Sequence, residues 1–376
     1  MGTLFTLQRR QWLGYVASLA APLATTAKAA TRVPPLVTAW ENGTGYQVGV
    51  LAQHGEALVM SASLDVPTRA HGVWAEAGGT LLAVARRPGD WLLRWKPDAG
   101  GGGQALAWGW IEPDRAFNGH VITSPDGKTL YTTETNLESG RGLIGVRDAA
   151  TLEKTGEWPT HGMDPHELLL DTGGSLMVAN GGIPALPETG RLKLHMERMD
   201  ASLVRLDTRT GALLGQWRLA DRRLSLRHMA WGEPVTGGTL GQRQLGIALQ
   251  AEHDDPTAKA AAPVLAVFDG QRLQTHAPDA GQALAGYGGD IAHAAGGFAV
   301  SCPRANGVAL WRADGRWAGF LPLQEACALA AAAPPGGETS LWAAGRTAVL
   351  MRDSRGAMRS AALQDLRLDN HWAPLD

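Results

Sequence analysis

From residue 31 onward the chain alternates strand-sized apolar runs with Gly, Pro, Asn and Asp. Residues 117–160 show the unit most clearly. HVITSP runs through the turn Asp126-Gly127 into TLYTTET, then GLIGVRDA, then EWPT, four strands in about 45 residues. The same unit recurs. HGVWAEA, TLLAVARRP and WLLRWKP form one; HELLLDT, SLMVANG, SLVRLDT and ALLGQWRL another; HMAWGEP, QLGIALQ, PVLAVFDG and RLQTHAP a third. DIAHAAG, GFAVSCP, GVALWRADG and WAGFLPL follow, then CALAAAAPP, SLWAAG and AVLMRD. Units of about 40–50 residues with four strands each predict β-propeller blades.

Aligning the first strands gives a ladder, His71, His120, His166, His228, Asp290, Cys327 and His371, with a mean step of 50 residues. Six blades follow from residue 71. The opening segments LVTAW, YQVGVL and EALVMSA lack a first strand, and LRLDNHWAPLD at the end supplies one. The predicted fold is therefore an all-β, seven-bladed propeller over residues 30–376, closed by pairing the N-terminal strands with a C-terminal strand. That closure leaves no free edge in the ring.

First strands line the central channel of a propeller. The ladder thus predicts a ring of His71, His120, His166, His228, Asp290 and His371 at one channel mouth, as candidate metal ligands. Neutral imidazole favours copper, iron, zinc or nickel, and a transition metal, iron or copper, is the expected cofactor. Polar residues of the loops between second and third strands, or beside the ladder, converge on the same face as candidate ligand contacts: Arg87, Glu134, Asn136, Arg141, Glu167, Asn180, Arg227, Gln250 and Arg304. An anionic ligand would lean on Arg87 or Arg141. The long loop Gly181 to Asp200 leaves from that face as a candidate lid. Two plainer readings compete. Each histidine could simply bond backbone or a neighbouring blade, and a seven-fold channel could hold the five rings too far apart to share one ion. Glu134 and Glu167, a conceivable acid/base pair, could equally be salt-bridged to Arg141 or Arg227.

Composition supports this picture and narrows it. Apolar residues make up 44% and charged residues 19% of 376, with 48 Gly and 14 Trp, which suits short strands and tight turns. The tryptophans are expected to pack blades. A net charge of −2 without a basic block argues against nucleic acid. Residues 1–29 read as a leader: Arg9-Arg10 precedes an apolar run to Leu23, and Ala27-Lys28-Ala29 fits a small-x-small cleavage site. The paired arginines predict a twin-arginine signal, an ordinary secretory signal being the alternative, and either places the mature chain in the periplasm. Losing Arg9, Arg10 and Lys28 takes the net charge from −2 to −5. No later run is long enough to span a membrane. Cys302 and Cys327 could pair in an oxidising compartment, but nothing in their spacing proves it. Phosphate-loop, dinucleotide, nucleophile-elbow, Cys-x-x-Cys and haem-attachment motifs are absent, and His166-Glu167 lacks the second histidine of a zinc helix.

The segments GHVITSPDGKTLYTTETNLESGRGLIGVRDA, DPHELLL, VANGGI with TGRLKL, LSLRHMA and LDNHW resemble the bacterial exported family catalogued as domain of unknown function 1513. The resemblance covers nearly the whole mature chain. It implies a periplasmic, propeller-like protein without defined biochemistry, in the neighbourhood of imelysin-type and haem-peroxidase-like proteins of iron acquisition. Thr135, Pro184-Ala185-Leu186 and His195 depart from the family pattern, and these changes remove candidate ligands from the long loop but not from the ladder.

Three functions are compatible with these features. One is a periplasmic binding or accessory protein for metal, chiefly iron. Another is a metal-dependent hydrolase of the lactonase kind or a redox enzyme at the same mouth. The last is an interaction platform for an imelysin-like or haem protein. The absence of any nucleophile motif places the binding protein first.

Overall fold

A computed structural model describes residues 34–54, 57–184, 193–234, 243–333, 338–363 and 366–375. The leader assigned to residues 1–29 and residues 185–192 of the candidate lid lie outside these. Seven blades surround a hub. Blades 2 to 6 are separate four-stranded antiparallel sheets. Their innermost strands are Ala70–Ala75, Arg115–Thr123, Pro165–Leu170, Leu224–Pro234 and Ile291–Ala294, and that of blade 7 is Ala328–Ala332.

Blade 1 closes the ring as the sequence predicts. Its three outer strands are Leu36–Glu41, Tyr46–His54 and Ala57–Val66, and its inner edge comes from the C-terminus. Leu36–Glu41 pairs antiparallel with both Arg367–Leu368 and Ala373–Pro374. The Thr38 hydroxyl donates to the carbonyl of His371 at 3.1 Å, and Arg69 is ion-paired to Asp369. Closure has a second element. The outermost strand of blade 7, Met358–Leu363, runs parallel to Ala57–Val66 and pairs at Ala362↔Ala57 and Leu363↔Leu58. The two blades on either side of the closure thereby fuse into one nine-stranded sheet.

The middle strands are buried on both faces, so they read as continuous apolar runs. In Ser175–Asn180, Leu176 and Val178 pack toward blade 3 with Ile122 and Ile144, while Met177 and Ala179 pack toward blade 5 with Leu245 and Ile247. Strand alternation thus places successive side chains in successive inter-blade cores. Trp40, Trp91, Trp95, Trp311 and Trp342 are among the largest fully buried side chains and fill these cores. Gly100 and Gly102 lie in an outer turn of blade 2, their amides donating to Asp98 at 2.8 and 3.0 Å, well away from the hub. Among the described residues no helix is long and apolar enough to cross a membrane.

Candidate metal centre at the propeller hub

The four ladder histidines of blades 2 to 5 sit where their strands leave regular pairing. Ala70 pairs with Ala85 and Val73 with Ala83, so two residues, His71 and Gly72, face one partner. His166 and Glu167 likewise oppose one residue, as do Arg227 and His228. In blade 3 the excess is Asn118, Gly119 and His120. These are β-bulges, which bend the strand and re-aim its side chains. In a regular strand neighbours point to opposite faces. Here the bulge turns both Arg227 and His228, and both His166 and Glu167, toward the hub.

The five rings form one cluster. Centroids of His71 and His371 are 4.6 Å apart, of His166 and His228 4.4 Å, and of His228 and His371 4.3 Å. His120 lies 5.0–5.3 Å from the other four. The channel is therefore narrow enough for the rings to meet. One donor atom from each of His71, His120, His166 and His228 falls within 4.8 Å of the rest, and His228, Asp290 and His371 form a second such group. All six residues are buried.

The donors suit a metal. The Arg227 guanidinium lies 3.3 Å from Nδ1 of His166, so that nitrogen accepts and the proton of His166 sits on Nε2. That proton is directed at Nε2 of His228, 2.9 Å away, which puts the proton of His228 on Nδ1. Both ring nitrogens of His71, Nε2 of His120, Nδ1 of His228 and Nε2 of His371 have no hydrogen-bond partner. A buried polar atom left unpaired costs about 1–3 kcal/mol, and such groups are rare in native interiors. Each neutral ring carries one lone pair, so the unpartnered nitrogens of His71, His120 and His371 bring three lone pairs that no protein donor serves, and imidazole nitrogen is a ligand for first-row transition metals. Burial, and then the neighbouring imidazoles, lower the pKa of His71, His120, His166 and His228 well below 6.5, so at neutral pH they carry lone pairs.

Two carboxylates border the rings. Asp290 accepts the amides of Ile291 and Leu329, both at 2.9 Å, which ties blade 6 to blade 7 and points the carboxylate at Nδ1 of His371, 3.6 Å away. Glu167 accepts the amide of Met229 and lies 3.8 Å from Nδ1 of His120 and 3.7 Å from Nδ1 of His228. Burial pushes its carboxyl well above the ordinary range.

Toward the mouth, a cavity of about 60 Å³ opens over His71, His166 and His228 and is walled by Arg86, Arg87, Arg227, Gln250 and Tyr287. Asp164 is ion-paired to Arg87 and, at 3.0 Å, to Arg227. Arg304 stacks 4.4 Å from the Tyr287 ring and so stands one layer behind the wall. Lys193, at the returning end of the long loop, is ion-paired to Glu252, which also accepts from Gln250.

The remaining polar residues of the sequence-based set lie elsewhere. Glu134 is fully buried within blade 3, paired with Arg147 and Lys154 at 2.7 Å each, rather than with Arg141 or Arg227. Gly145 on the facing strand leaves the space for it: a Cβ there would meet Oε1 at 2.0 Å. Asn136 caps its own turn, accepting the amides of Glu138 and Ser139, and Arg141 is exposed beyond that turn. Asn180 is buried and donates to the Thr160 carbonyl at 2.9 Å. Cys302 and Cys327 are unpaired thiols, both raised to about 12 by burial. Tyr287 was not singled out from the sequence, whereas Arg86 belongs with Arg87 to the loop polarity that marks this face, and both line the cavity.

The protein family of unknown function DUF1513 matches residues 64–375. The chain belongs to that family. No curated protein matches the sequence. Among solved structures, a candidate 6-phosphogluconolactonase of Bacteroides fragilis aligns with a TM-score of 0.58 at 14% identity, covering 93% of this chain and 99% of that one. Hydrazine synthase of Kuenenia stuttgartiensis aligns at 0.57 and 12%, covering 84% and 89%. A streptogramin B lyase structure aligns at 0.53 and 12%, covering 78% and 83%. At such identities the likeness concerns fold alone.

Gly119 offers a direct perturbation of the cluster in this DUF1513 member. Its φ of +107° suits glycine, and a Cβ there would lie 2.6 Å from Cδ2 of His71. Gly119→Ala should displace the His71 ring and weaken transition-metal binding at least tenfold, at a cost of about 1–3 kcal/mol in stability. Gly127→Ala, at φ +70° with open space around it, carries only the backbone strain and should leave metal affinity unchanged. Metal titration of the two variants beside their melting curves checks this.

Proposed function

We propose that this protein is an exported metal-binding protein that holds a first-row transition ion, iron or copper, at the hub and serves metal handling in the periplasm. The observation that carries the reading is the set of orphaned imidazole nitrogens from four blades, buried together without protein partners. The donor set is nitrogen-rich with Asp290 at its edge, which suits iron or copper over calcium or magnesium. The leader read from Arg9-Arg10 supports export, and the neighbourhood that the family resemblance implies supports iron. The hydrolase alternative called for a carboxylate such as Glu134 beside the metal, and that side chain is engaged with Arg147 and Lys154, which leaves Glu167 as the acid next to the rings.

Elemental analysis of the chain purified from the periplasm tests this. Near-stoichiometric iron or copper is expected, falling below a tenth in both His120→Ala and His166→Ala. Sub-stoichiometric metal that these substitutions do not change would remove the reading. Changing Arg9-Arg10 to Lys-Lys should retain the precursor in the cytoplasm, followed by fractionation. Unaltered export would instead favour an ordinary secretory signal.

A further inference from the structure

The segment that closes the ring is paired less completely than the strand it joins. Leu36–Glu41 pairs with Tyr46–His54 at six positions. On its other side it pairs at two positions with Arg367–Leu368 and at two with Ala373–Pro374. Between these stubs residues 369–372 leave the ladder. That stretch is fixed instead by the Asp369 amide donating to the Ala39 carbonyl at 2.9 Å, by the Thr38 hydroxyl on His371, by the Arg69–Asp369 pair and by burial of Trp372. It also carries two buried polar atoms without a partner, Nε2 of His371 and Nε1 of Trp372. Both regain water when the segment lifts, so each favours local opening.

His371 also differs from the other hub histidines in how its segment joins the propeller. His71, His120, His166 and His228 stand on inner strands that pair with the next strand in sequence. His371 is held to Thr38, 333 residues away. Its ring nevertheless lies 4.6 Å from that of His71 and 4.3 Å from that of His228. One donor atom from each of His371, Asp290 and His228 also falls within 4.8 Å of the other two.

From this we infer that the hub ion is the clasp of the ring: through His371 it ties the closing segment to the other blades, so that metal occupancy sets how often Arg367–Pro374 opens. With Nε2 of His371 in its shell, the ion serves one of the two orphaned atoms, and lifting the segment then breaks a metal–nitrogen bond. The pairing of Met358–Leu363 with Ala57–Val66 carries no hub residue and is the part of closure that needs no ion. The inference rests on the metal reading above and adds a structural role to it.

Hydrogen exchange read by mass spectrometry tests this on the purified protein, metal-free in chelator and loaded with copper(II) or, without oxygen, iron(II). Elemental analysis of the same samples gives occupancy. The amides of Asp369 and Leu375, which donate to Ala39 and Pro35, should exchange at least tenfold more slowly in the loaded protein. Leu273–His276, the outermost strand of blade 5, carries no hub residue and should change less than twofold. His371→Gln, loaded through its four remaining rings at higher metal concentration, should lose the slowing at residues 367–375. If His371→Gln fails to fold or to load, the unaltered protein decides by itself. Equal slowing at both segments, no slowing at 367–375 in a loaded protein, or slowing retained in loaded His371→Gln overturns the clasp and leaves the metal reading standing. A protein that takes up neither ion overturns both.

Discussion

Metal-free protein should lose stability steeply as the pH falls below about 6.5. His71, His120, His166 and His228 are held neutral by burial and by one another, while the unfolded chain protonates the same residues near 6.5. Their folded pKa values are depressed, so the unfolded state binds more protons below that pH. The stability they contribute is complete above 6.5 and is lost as the pH drops toward the folded values. Glu167 acts with the opposite sign: its raised pKa keeps a proton in the folded state that the unfolded chain releases above its ordinary 4.5. Four protons against one leaves a net of three, which at about 1.4 kcal/mol per proton per pH unit is a ceiling of about 4 kcal/mol per unit. For a domain of this size that corresponds to roughly 5–10 °C in melting temperature per pH unit. Melting curves between pH 7.5 and 5.5 in chelator measure it. His166→Gln should flatten the slope, since it removes one protonating group from both states. A melting temperature independent of pH over that range would mean that the rings are solvated and that the buried cluster is wrong.

The second large effect concerns closure. Removing residues 366–376 should abolish the folded monomer rather than merely loosen one end. The deletion strips Leu36–Glu41 of both inner partners and empties the sites of Leu368 and Trp372, each under 10% exposed in the core shared by blades 1 and 7. Burial of two such side chains alone is worth about 3–6 kcal/mol. That is a large part of the 5–15 kcal/mol by which native domains are stable. It also removes His371 from the hub and Asp369 from Arg69. Insoluble expression, or loss of the cooperative transition, is expected. A truncated chain melting within about 3 °C of the full chain would show that the parallel pairing of Met358–Leu363 with Ala57–Val66 closes the ring unaided.

Much of this architecture is legible in the chain because a propeller repeats both its pattern and its polar exceptions. The ladder from His71 to His371 stands out as polar residues at one repeat position amid apolar strands, and the orphan strand in LRLDNHWAPLD announces closure. Two outermost strands were not legible. Gly103–Trp110 of blade 2 is an edge strand without a buried residue, and Met358–Leu363, MRSAAL, alternates too little between apolar and polar positions to mark a strand. Parallel contact between blades 1 and 7 joins residues three hundred apart and leaves no local signal.

The site divides in the same way. Repeat position locates the histidines, but not how closely they approach, because that depends on the bulges at His71, His120, His166 and His228. A bulge is a mismatch between two strands, and only the pairing reveals it. Loop polarity marked Glu134, Asn136, Arg141 and Asn180 as readily as Arg87, and Arg227 stood beside the ladder in the strand of His228. The difference lies in partners: Arg147 and Lys154 neutralise Glu134 inside blade 3, whereas Arg227 reaches the hub with two donors unserved. Asp164 could not be told from a turn residue, although its left-handed φ of 52° and its two arginines place it at the rim.

The buried imidazoles of several blades could hold a metal ion, and the proposal made above is that this ion is a transition metal. X-ray absorption at the metal edge of the iron- or copper-loaded protein tests it most directly, because imidazole rings leave a multiple-scattering signature that water and carboxylate do not. An inner shell dominated by imidazole nitrogen is expected, with fewer imidazoles in His120→Ala. A shell of oxygen alone, or a spectrum that the substitution leaves unchanged, would contradict it.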